Sequence, residues 1–338
     1  MRTPAFLIVC LAIAAAVFGI AIAFGNDYVF FAGYVVLQYV VLSTAWNILG
    51  GYCGYVNFGT AAFFALGAYS TVAIYKFISD NDFPHIVPIP VLMLVGGVVS
   101  GIVGFGMGYL TLRLRGAFFS IATLALAVVL QTLVVNWDYV GGSRGAYVIR
   151  PEEIDPIGNY IRYLFLIMLL LSVAAIVIAR LIERSRLGYG FATIRDDELA
   201  AEASGVPTLR LKLIATTISG VLMGMAGAPF PYYISYLQPD STFGLDYAVN
   251  SIAMPLIGGT TTWVGPLIGA VLLGSLQQIA TVTISSAVNL LIVGLLLVGF
   301  VIVAPNGIIG LVHHYWQRKP EDFVGRRHVD ADVPGAVP

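Results

Sequence analysis

Long apolar runs recur along this chain and determine its fold class. A membrane-spanning helix needs about 20 mainly apolar residues, and ten runs reach or approach that length. They are, roughly, 5–24, 28–49, 58–78, 88–111, 117–136, 162–182, 213–236, 244–258, 265–283 and 287–304. Charged residues make up 10% of the chain, against roughly 25% in an ordinary globular protein. The runs are continuous rather than alternating, which argues against a membrane barrel. We therefore expect an all-α integral membrane protein of about ten spans, with broken or re-entrant glycine-rich segments.

Basic residues are distributed unequally between the two sides of such a bundle. If the N-terminus lies in the cytoplasm and the chain crosses ten times, 13 of the 17 Lys and Arg residues fall on the cytoplasmic side. Loops rich in Lys and Arg stay in the cytoplasm, so we expect both termini there. The first run exceeds the apolar core of about 7–15 residues of a signal peptide. It is therefore expected to be a retained helix, although Ala21-Ile22-Ala23 leaves cleavage open.

The longest charged stretch between two runs is Ser185–Lys212, called below the 185–212 segment. Residues 194–204 predict a short helix, because Asp196, Asp197 and Glu198 would lie in a first turn, where the helix dipole favours negative charge. Gly205 would end that helix in a left-handed conformation, and Pro207 follows. The segment is either an ordinary solvated loop or a docking helix for a soluble partner.

On the outer side the longest segment is 138–161, which we expect to be partly structured. It is either a solvated cap or a contact surface for an extracytoplasmic partner. The transmembrane domain is expected to cover residues 1–312, including both segments. Residues 313–338 would form a polar, flexible cytoplasmic tail.

Two glycine-rich stretches interrupt the apolar runs near their cytoplasmic ends. We call residues 50–59 the first break and residues 258–266 the second break. Such breaks are tolerated at membrane depth where they line a cavity or are buried in protein, and transporters place them along substrate paths. A tight turn between helices is the other interpretation. Small residues spaced four apart, such as Gly220 and Gly224, predict close helix packing.

Several kinds of chemistry are missing from the runs. All four histidines lie outside them, and so do all acidic residues except Asp246, at the start of the eighth run, whereas proton-coupled transporters and membrane hydrolases keep ionisable groups inside. Sodium bound by unwound backbone is not excluded. Cys10 and Cys53 form no metal pattern, so no metal and no cofactor are expected. A P-loop needs Gly-Lys, and no lysine follows a glycine, so ATP would have to be used by a separate subunit.

Five stretches, in order, resemble the permeases of branched-chain amino-acid ABC importers of the LivM type. They are Gly51–Tyr69, Leu112–Leu124, Arg195–Gly205, Gly258–Pro266 and Ala304–Gly307. The resemblance runs from about Leu49 to Leu311. The chain departs from the family pattern at Thr60, where histidine is common, and at Pro229 and Pro231, which add a kink. These departures put the substrate in doubt.

The resemblance implies a non-enzymatic permease subunit in the inner membrane of a prokaryote. Its implied partners are a second permease, in a mixed pair, two cytoplasmic ATPase subunits, an extracytoplasmic binding protein and membrane lipid, with no nucleic acid. The expected ATPase-coupling residues are Arg195, Asp196, Asp197, Glu198, Glu202 and Gly205. The expected substrate path contains Gly51, Gly54, Asn57, Thr60, Gly258, Gly259 and Thr260. Alternatives are a permease for urea or another small polar solute, and an ATP-independent channel or facilitator.

Overall fold

A computed structural model shows the chain as a bundle of helices. The structure describes residues 3–81, 87–111, 114, 116–150, 153–154, 158–283, 291, 294–295, 298–299 and 307–310. The helices are α1 (Thr3–Ala23), α2 (Asp27–Gly50), α3 (Thr60–Asp80), α4 (Ile89–Thr111), α5 (Ala117–Val135), α6 (Tyr160–Glu183), α7 (Arg186–Asp196), α8 (Glu198–Ala203), α9 (Thr208–Gly227), α10 (Phe230–Ile234), α11 (Pro239–Thr242), α12 (Leu245–Gly258) and α13 (Val264–Thr283). Four two-residue strands complete the fold: β1 (Ala146–Tyr147), β2 (Glu153–Ile154), β3 (Gly158–Asn159) and β4 (Tyr236–Leu237).

Within the described residues, eight helical segments are long and apolar enough to cross a membrane. They are α1 to α6, α9 together with α10, and α13. The expected all-α membrane fold is confirmed. The eighth apolar run forms α12, which has only 14 residues, fewer than the roughly 20 that a straight span needs. Most of the tenth run, 287–304, and the whole tail 313–338 lie outside the described residues.

Helix α2 is the centre of the bundle. It packs against α6, α9, α12 and α13, and every residue from 40 to 49 is buried. A helix that is apolar all round is expected to be surrounded by others. The Trp46 side chain of α2 carries one polar group, the indole N–H, which donates a hydrogen bond to the backbone carbonyl of Asn57, 2.9 Å away.

Small residues allow α3, α4 and α9 to pack backbone to backbone. A Cβ on Gly67 of α3 would overlap the carbonyl group of Gly224 in α9. A Cβ on Gly224 would in turn overlap Ser100 and the carbonyl oxygen of Gly96, both in α4. The predicted use of spaced small residues for close helix packing is confirmed here, since dispersion contacts drive helix association in lipid.

The 185–212 segment contains two helices rather than the single predicted helix over 194–204. The prediction was wrong at Asp197, which has an extended backbone with φ −158° and ψ 109°. Its carboxylate accepts hydrogen bonds from the backbone N–H groups of Leu199 (2.9 Å) and Ala200 (3.0 Å). Asp197 is therefore the N-cap of α8 and ends α7, as a short acidic side chain favours. Gly205 does adopt the predicted left-handed conformation, with φ +83°.

On the opposite end of the bundle, the described part of segment 138–161 is partly structured, as predicted. It contains two 3₁₀ turns and strand β1, which pairs antiparallel with β4. The predicted kink at Pro229 and Pro231 is also present, since α9 ends at Gly227 and the short α10 follows.

Candidate coupling and translocation site

The two glycine-rich breaks lie against each other at one end of the bundle. A Cβ on Gly51 would lie 2.6 Å from the carbonyl oxygen of Thr260. Within the second break, a Cβ on Gly258 would overlap the carbonyl of Gly265. The chain returns to the same place at Gly307, where a Cβ would lie 2.7 Å from the Cα of Gly259. Glycine is required at these positions because the backbones approach more closely than any side chain permits.

One carboxylate binds both breaks. Glu183, the last residue of α6, accepts a hydrogen bond from the backbone N–H of Trp263 at 2.8 Å. The same oxygen accepts a longer bond, 3.4 Å, from the hydroxyl of Tyr52. Burial, reinforced by the neighbouring Glu183 carboxylate, raises the pKa of Tyr52, so its hydroxyl stays a neutral donor. The end of α6 thereby fixes the first break relative to the second.

The 185–212 segment touches the first break through Arg195. The guanidinium of Arg195 donates to the carbonyl of Gly51 at 3.4 Å. A Cβ on Gly54 would lie 3.0 Å from Cγ of Arg195, and Gly54 has φ +80°. Gly54 is therefore glycine for two reasons, its left-handed backbone and the side chain packed against it.

A second contact joins the same two segments through a buried ion pair. The ammonium of Lys212, at the start of α9, lies 2.7 Å from the carboxylate of Glu198 in α8. The hydroxyl of Tyr55, in the first break, donates to the other oxygen of Glu198 and accepts from Lys212 at 3.2 Å. The Lys212 side chain is 3% exposed and that of Glu198 13%. Sequence reasoning missed Lys212 and Tyr55, because a lysine beside an apolar run is ordinarily a solvated flank.

The remaining predicted coupling residues contact other parts of the 185–212 segment or face solvent. Asp196 is exposed and lies 3.5 Å from the guanidinium of Arg195, while Asp197 caps α8. The Glu202 carboxylate accepts a hydrogen bond of 2.8 Å from the hydroxyl of Thr208. Gly205 is exposed, with no atom within 4 Å of where its Cβ would be. The segment therefore presents one face to the first break and another to solvent. The solvent face also carries Leu199, which is 62% exposed.

Two of the predicted path residues, Asn57 and Thr60, are buried where the first break enters α3. The Asn57 side-chain oxygen accepts from the backbone N–H of Gly59 at 2.7 Å. Its amide nitrogen has no partner within the described part of the chain, and the same holds there for the hydroxyls of Thr44 in α2 and Thr262 in the second break. Buried polar atoms without partners are uncommon. Two of these atoms, on Asn57 and Thr262, belong to the breaks, where a polar solute could find hydrogen bonds.

Aromatic rings stack between α2 and α10 and between α3 and α12. Tyr233 of α10 stacks between Phe31 and Tyr34 of α2, with ring centroids 4.4 Å apart in each pair. Phe64 of α3 stacks on Tyr247 of α12 at 4.6 Å. Further along α2, uncharged polar groups form hydrogen bonds between helices. The Tyr39 hydroxyl accepts from the side-chain amide of Asn250 at 3.3 Å, and the Asn250 side-chain oxygen accepts from the amide of Gln277 at 2.8 Å. Asn250 and Gln277 are therefore hydrogen-bond partners between α12 and α13.

A model of one protein family matches most of this chain. Residues 28–301 match the model described as "Branched-chain amino acid transport system / permease component". The chain belongs to this permease family. As an ABC-type permease with eight described apolar spans, it is a multi-pass protein of the prokaryotic inner membrane.

Curated relatives of the permease carry names for more than one substrate. It is 26% identical to the high-affinity branched-chain amino acid transport system permease protein LivM of Salmonella typhimurium, over 86% of this chain and 72% of the relative. It is 26% identical to the L-arabinose ABC transporter permease protein AraH of Azospirillum brasilense over 56% of each chain. The ribose import permease protein RbsC of Haemophilus influenzae is 24% identical over 62% of this chain and 64% of its own. No solved structure matches.

Among the described residues, no group of three or more His, Cys, Asp or Glu side chains is placed to hold a metal ion. Cys53 is buried and Cys10 half-buried, both as free thiols.

Proposed function

We propose that this permease is a membrane subunit of an ATP-driven importer for branched-chain or related small amino acids. It would pair with a second permease and two cytoplasmic ATPase subunits, and receive its substrate from an extracytoplasmic binding protein. The observation that carries the proposal is the contact between the 185–212 segment and the first break, through Arg195 and Glu198. A surface that can receive a soluble partner is thereby joined to a region that can receive a solute.

The coupling mechanism follows from the two faces of the 185–212 segment. Closure of the ATPase subunits would push on its exposed face, where Asp196, Leu199 and Gly205 lie. Its inner face would transmit the push to the first break, since Arg195 and Glu198 are bound there. Asp197 and Glu202 would keep the segment rigid, as the cap of α8 and the link to Thr208.

The substrate would pass between the two breaks. Gly51, Gly54, Gly258 and Gly259 would let the breaks pack tightly in the closed state, so the two breaks would have to separate to open the path. Asn57, Thr60 and Thr260 would offer polar atoms. A binding protein delivers concentrated substrate, so a weak site is sufficient and few strong polar groups are needed.

The breaks carry few polar side chains, which favours an amino acid with an apolar side chain over a sugar. A sugar presents a hydroxyl on nearly every carbon, and each buried hydroxyl without a hydrogen bond costs about 1–3 kcal/mol. The match to LivM also covers more of this chain than the matches to AraH and RbsC.

Competition for uptake tests the substrate class. The permease, its partner permease, the ATPase subunits and the binding protein are reconstituted in liposomes, and labelled leucine is supplied with ATP. We expect ATP-dependent leucine uptake that excess isoleucine or valine suppresses and excess arabinose, ribose or urea does not. Suppression by a sugar or urea alone would contradict the amino-acid assignment. Equal uptake without the ATPase subunits would show an ATP-independent channel.

A further inference from the structure

We propose that Tyr55, Glu198 and Lys212, called here the latch, make α8 and the first break move as one unit and so carry the ATPase stroke into the bundle. These are positioning residues, which act on the path through the first break. The inference rests on the proposed function and extends it to residues outside the expected coupling and path sets, namely Tyr55 and Lys212.

The latch is a closed triangle of hydrogen bonds from three separate segments. Lys212 of α9 reaches Glu198 of α8 at 2.7 Å and the Tyr55 hydroxyl of the first break at 3.2 Å. The Tyr55 hydroxyl donates to the second oxygen of Glu198. The ammonium also lies 4.6 Å from the centroid of the Tyr55 ring. Moving any one segment away from the other two would break at least two of these contacts.

Burial makes the latch harder to open than two exposed ion pairs among the described residues. Arg195 and Asp196 are paired with side chains 34% and 74% exposed, and Arg162 and Asp27 with side chains 36% and 53% exposed. Water replaces such contacts with little loss. Lys212 and Glu198 are mostly shielded from water, so separating them would leave charges uncompensated in a poorly solvated place. The latch therefore transmits a displacement of α8 to the first break, whereas a solvated ion pair would separate instead.

The first break extends this connection toward the second break. The Tyr55 ring packs edge-on against Phe119 of α5 at 5.1 Å, which prevents the ring from swinging away. The backbone N–H of Tyr55 donates to the carbonyl of Leu49 at 3.2 Å. Leu49 lies close in the chain to Gly51, which contacts Thr260 of the second break. A shift of α8 thus reaches the contact between the two breaks through Tyr55.

A structural role alone is the competing explanation, since a buried ion pair can simply hold a fold together. The two roles differ in what they predict for the ratio of solute moved to ATP hydrolysed. A structural defect lowers uptake and ATP hydrolysis together, because fewer intact transporters remain. Loss of the connection between α8 and the first break lowers uptake while the ATPase subunits continue to hydrolyse ATP.

The test uses the complete transporter in liposomes with labelled leucine and measures uptake, ATP hydrolysis and melting temperature. Tyr55→Phe removes only the hydroxyl, and Glu198→Gln removes the carboxylate charge. Glu198→Gln/Lys212→Met removes both charges, because Glu198→Gln alone leaves a buried ammonium that can destabilise the fold. Asp27→Asn is the matched control, since it breaks an exposed ion pair at the opposite end of the bundle.

We expect Tyr55→Phe and Glu198→Gln/Lys212→Met each to lower the uptake-to-hydrolysis ratio about tenfold, a change typical of coupling between sites. ATP hydrolysis and melting temperature should stay near those of the wild type. Glu198→Gln/Tyr55→Phe should lower the ratio no further than Glu198→Gln, because both changes open the same link. Asp27→Asn should leave the ratio unchanged.

An unchanged ratio in both Tyr55→Phe and Glu198→Gln/Lys212→Met would overturn the latch. A parallel fall of uptake, hydrolysis and melting temperature in every variant would overturn it too, in favour of a structural role. If the wild-type transporter takes up no leucine with ATP, the proposed function itself fails, and the latch with it.

Discussion

The carboxylate of Glu183 lies 2.8 Å from the backbone nitrogen of Trp263 and holds the start of α13 against the end of α6. The same side chain reaches Tyr52, so one residue ties the two glycine-rich breaks together.

Replacing Glu183 by alanine is expected to lower the free energy of unfolding by about 1–3 kcal/mol, since the partly buried N–H of Trp263 loses its partner. The melting temperature of the purified permease in detergent measures this loss. Asp80→Asn, which changes an exposed acid at the end of α3, is the control and should have little effect. Equal melting temperatures for Glu183→Ala and the wild type would show that the breaks hold together without this carboxylate.

Gly67 is predicted to tolerate no side chain. The Cβ of alanine there would overlap the backbone of Gly224, so α3 and α9 would have to separate. Overpacking of this kind costs about 1–3 kcal/mol. Gly106→Ala in α4 is the matched control, because nothing lies within 4 Å of its added Cβ and alanine favours a helix. Thermal unfolding should separate the two variants, and a melting temperature of Gly67→Ala at or above that of Gly106→Ala would contradict the packing described.

Gly205 is predicted to act through its backbone alone. Its φ is +83° and its surroundings are open, so valine would be disfavoured by conformation and not by a clash. Gly205→Val should distort the 185–212 segment and reduce leucine uptake per ATP hydrolysed. Gly205→Asn should retain most of it, because asparagine adopts left-handed conformations more readily. Equal ratios for the two variants would exclude a conformational role for Gly205.

Leu199 is predicted to contact an ATPase subunit. It is a large apolar side chain, 62% exposed, on the short helix α8, and interfaces bury such residues at their centres. Leu199→Asp should weaken copurification of the ATPase subunits with the permease. Ile149→Asp changes a side chain that is 77% exposed in the outer loop, and should leave copurification intact. Loss of ATPase subunits from both variants would point to a general defect and contradict a specific contact.

Fold class and most helix positions could be predicted because lipid imposes a strong rule. A helix must be mainly apolar over about 20 residues to cross, and α1 to α6 begin and end within a few residues of the predicted runs. Gly205 could be predicted as the end of a helix because glycine alone adopts the left-handed conformation without a steric cost.

The contacts within the candidate site could not be predicted, because they join residues far apart in the chain. Lys212 meets Tyr55 across 157 positions, and no local pattern distinguishes a buried lysine from a solvated one at the end of a span. The break at Asp197 was missed for a related reason. Three consecutive acids fit the first turn of one helix as well as they fit an N-cap between two helices, and only tertiary packing decides between these arrangements.

The most direct test of the account is leucine uptake by liposomes that contain the complete transporter, measured with ATP, without ATP, and with the Tyr55→Phe permease. The account predicts rapid uptake with ATP, none above background without it, and ATP hydrolysis with little uptake for Tyr55→Phe. Uptake that proceeds without ATP, or that Tyr55→Phe leaves fully coupled to hydrolysis, would contradict it.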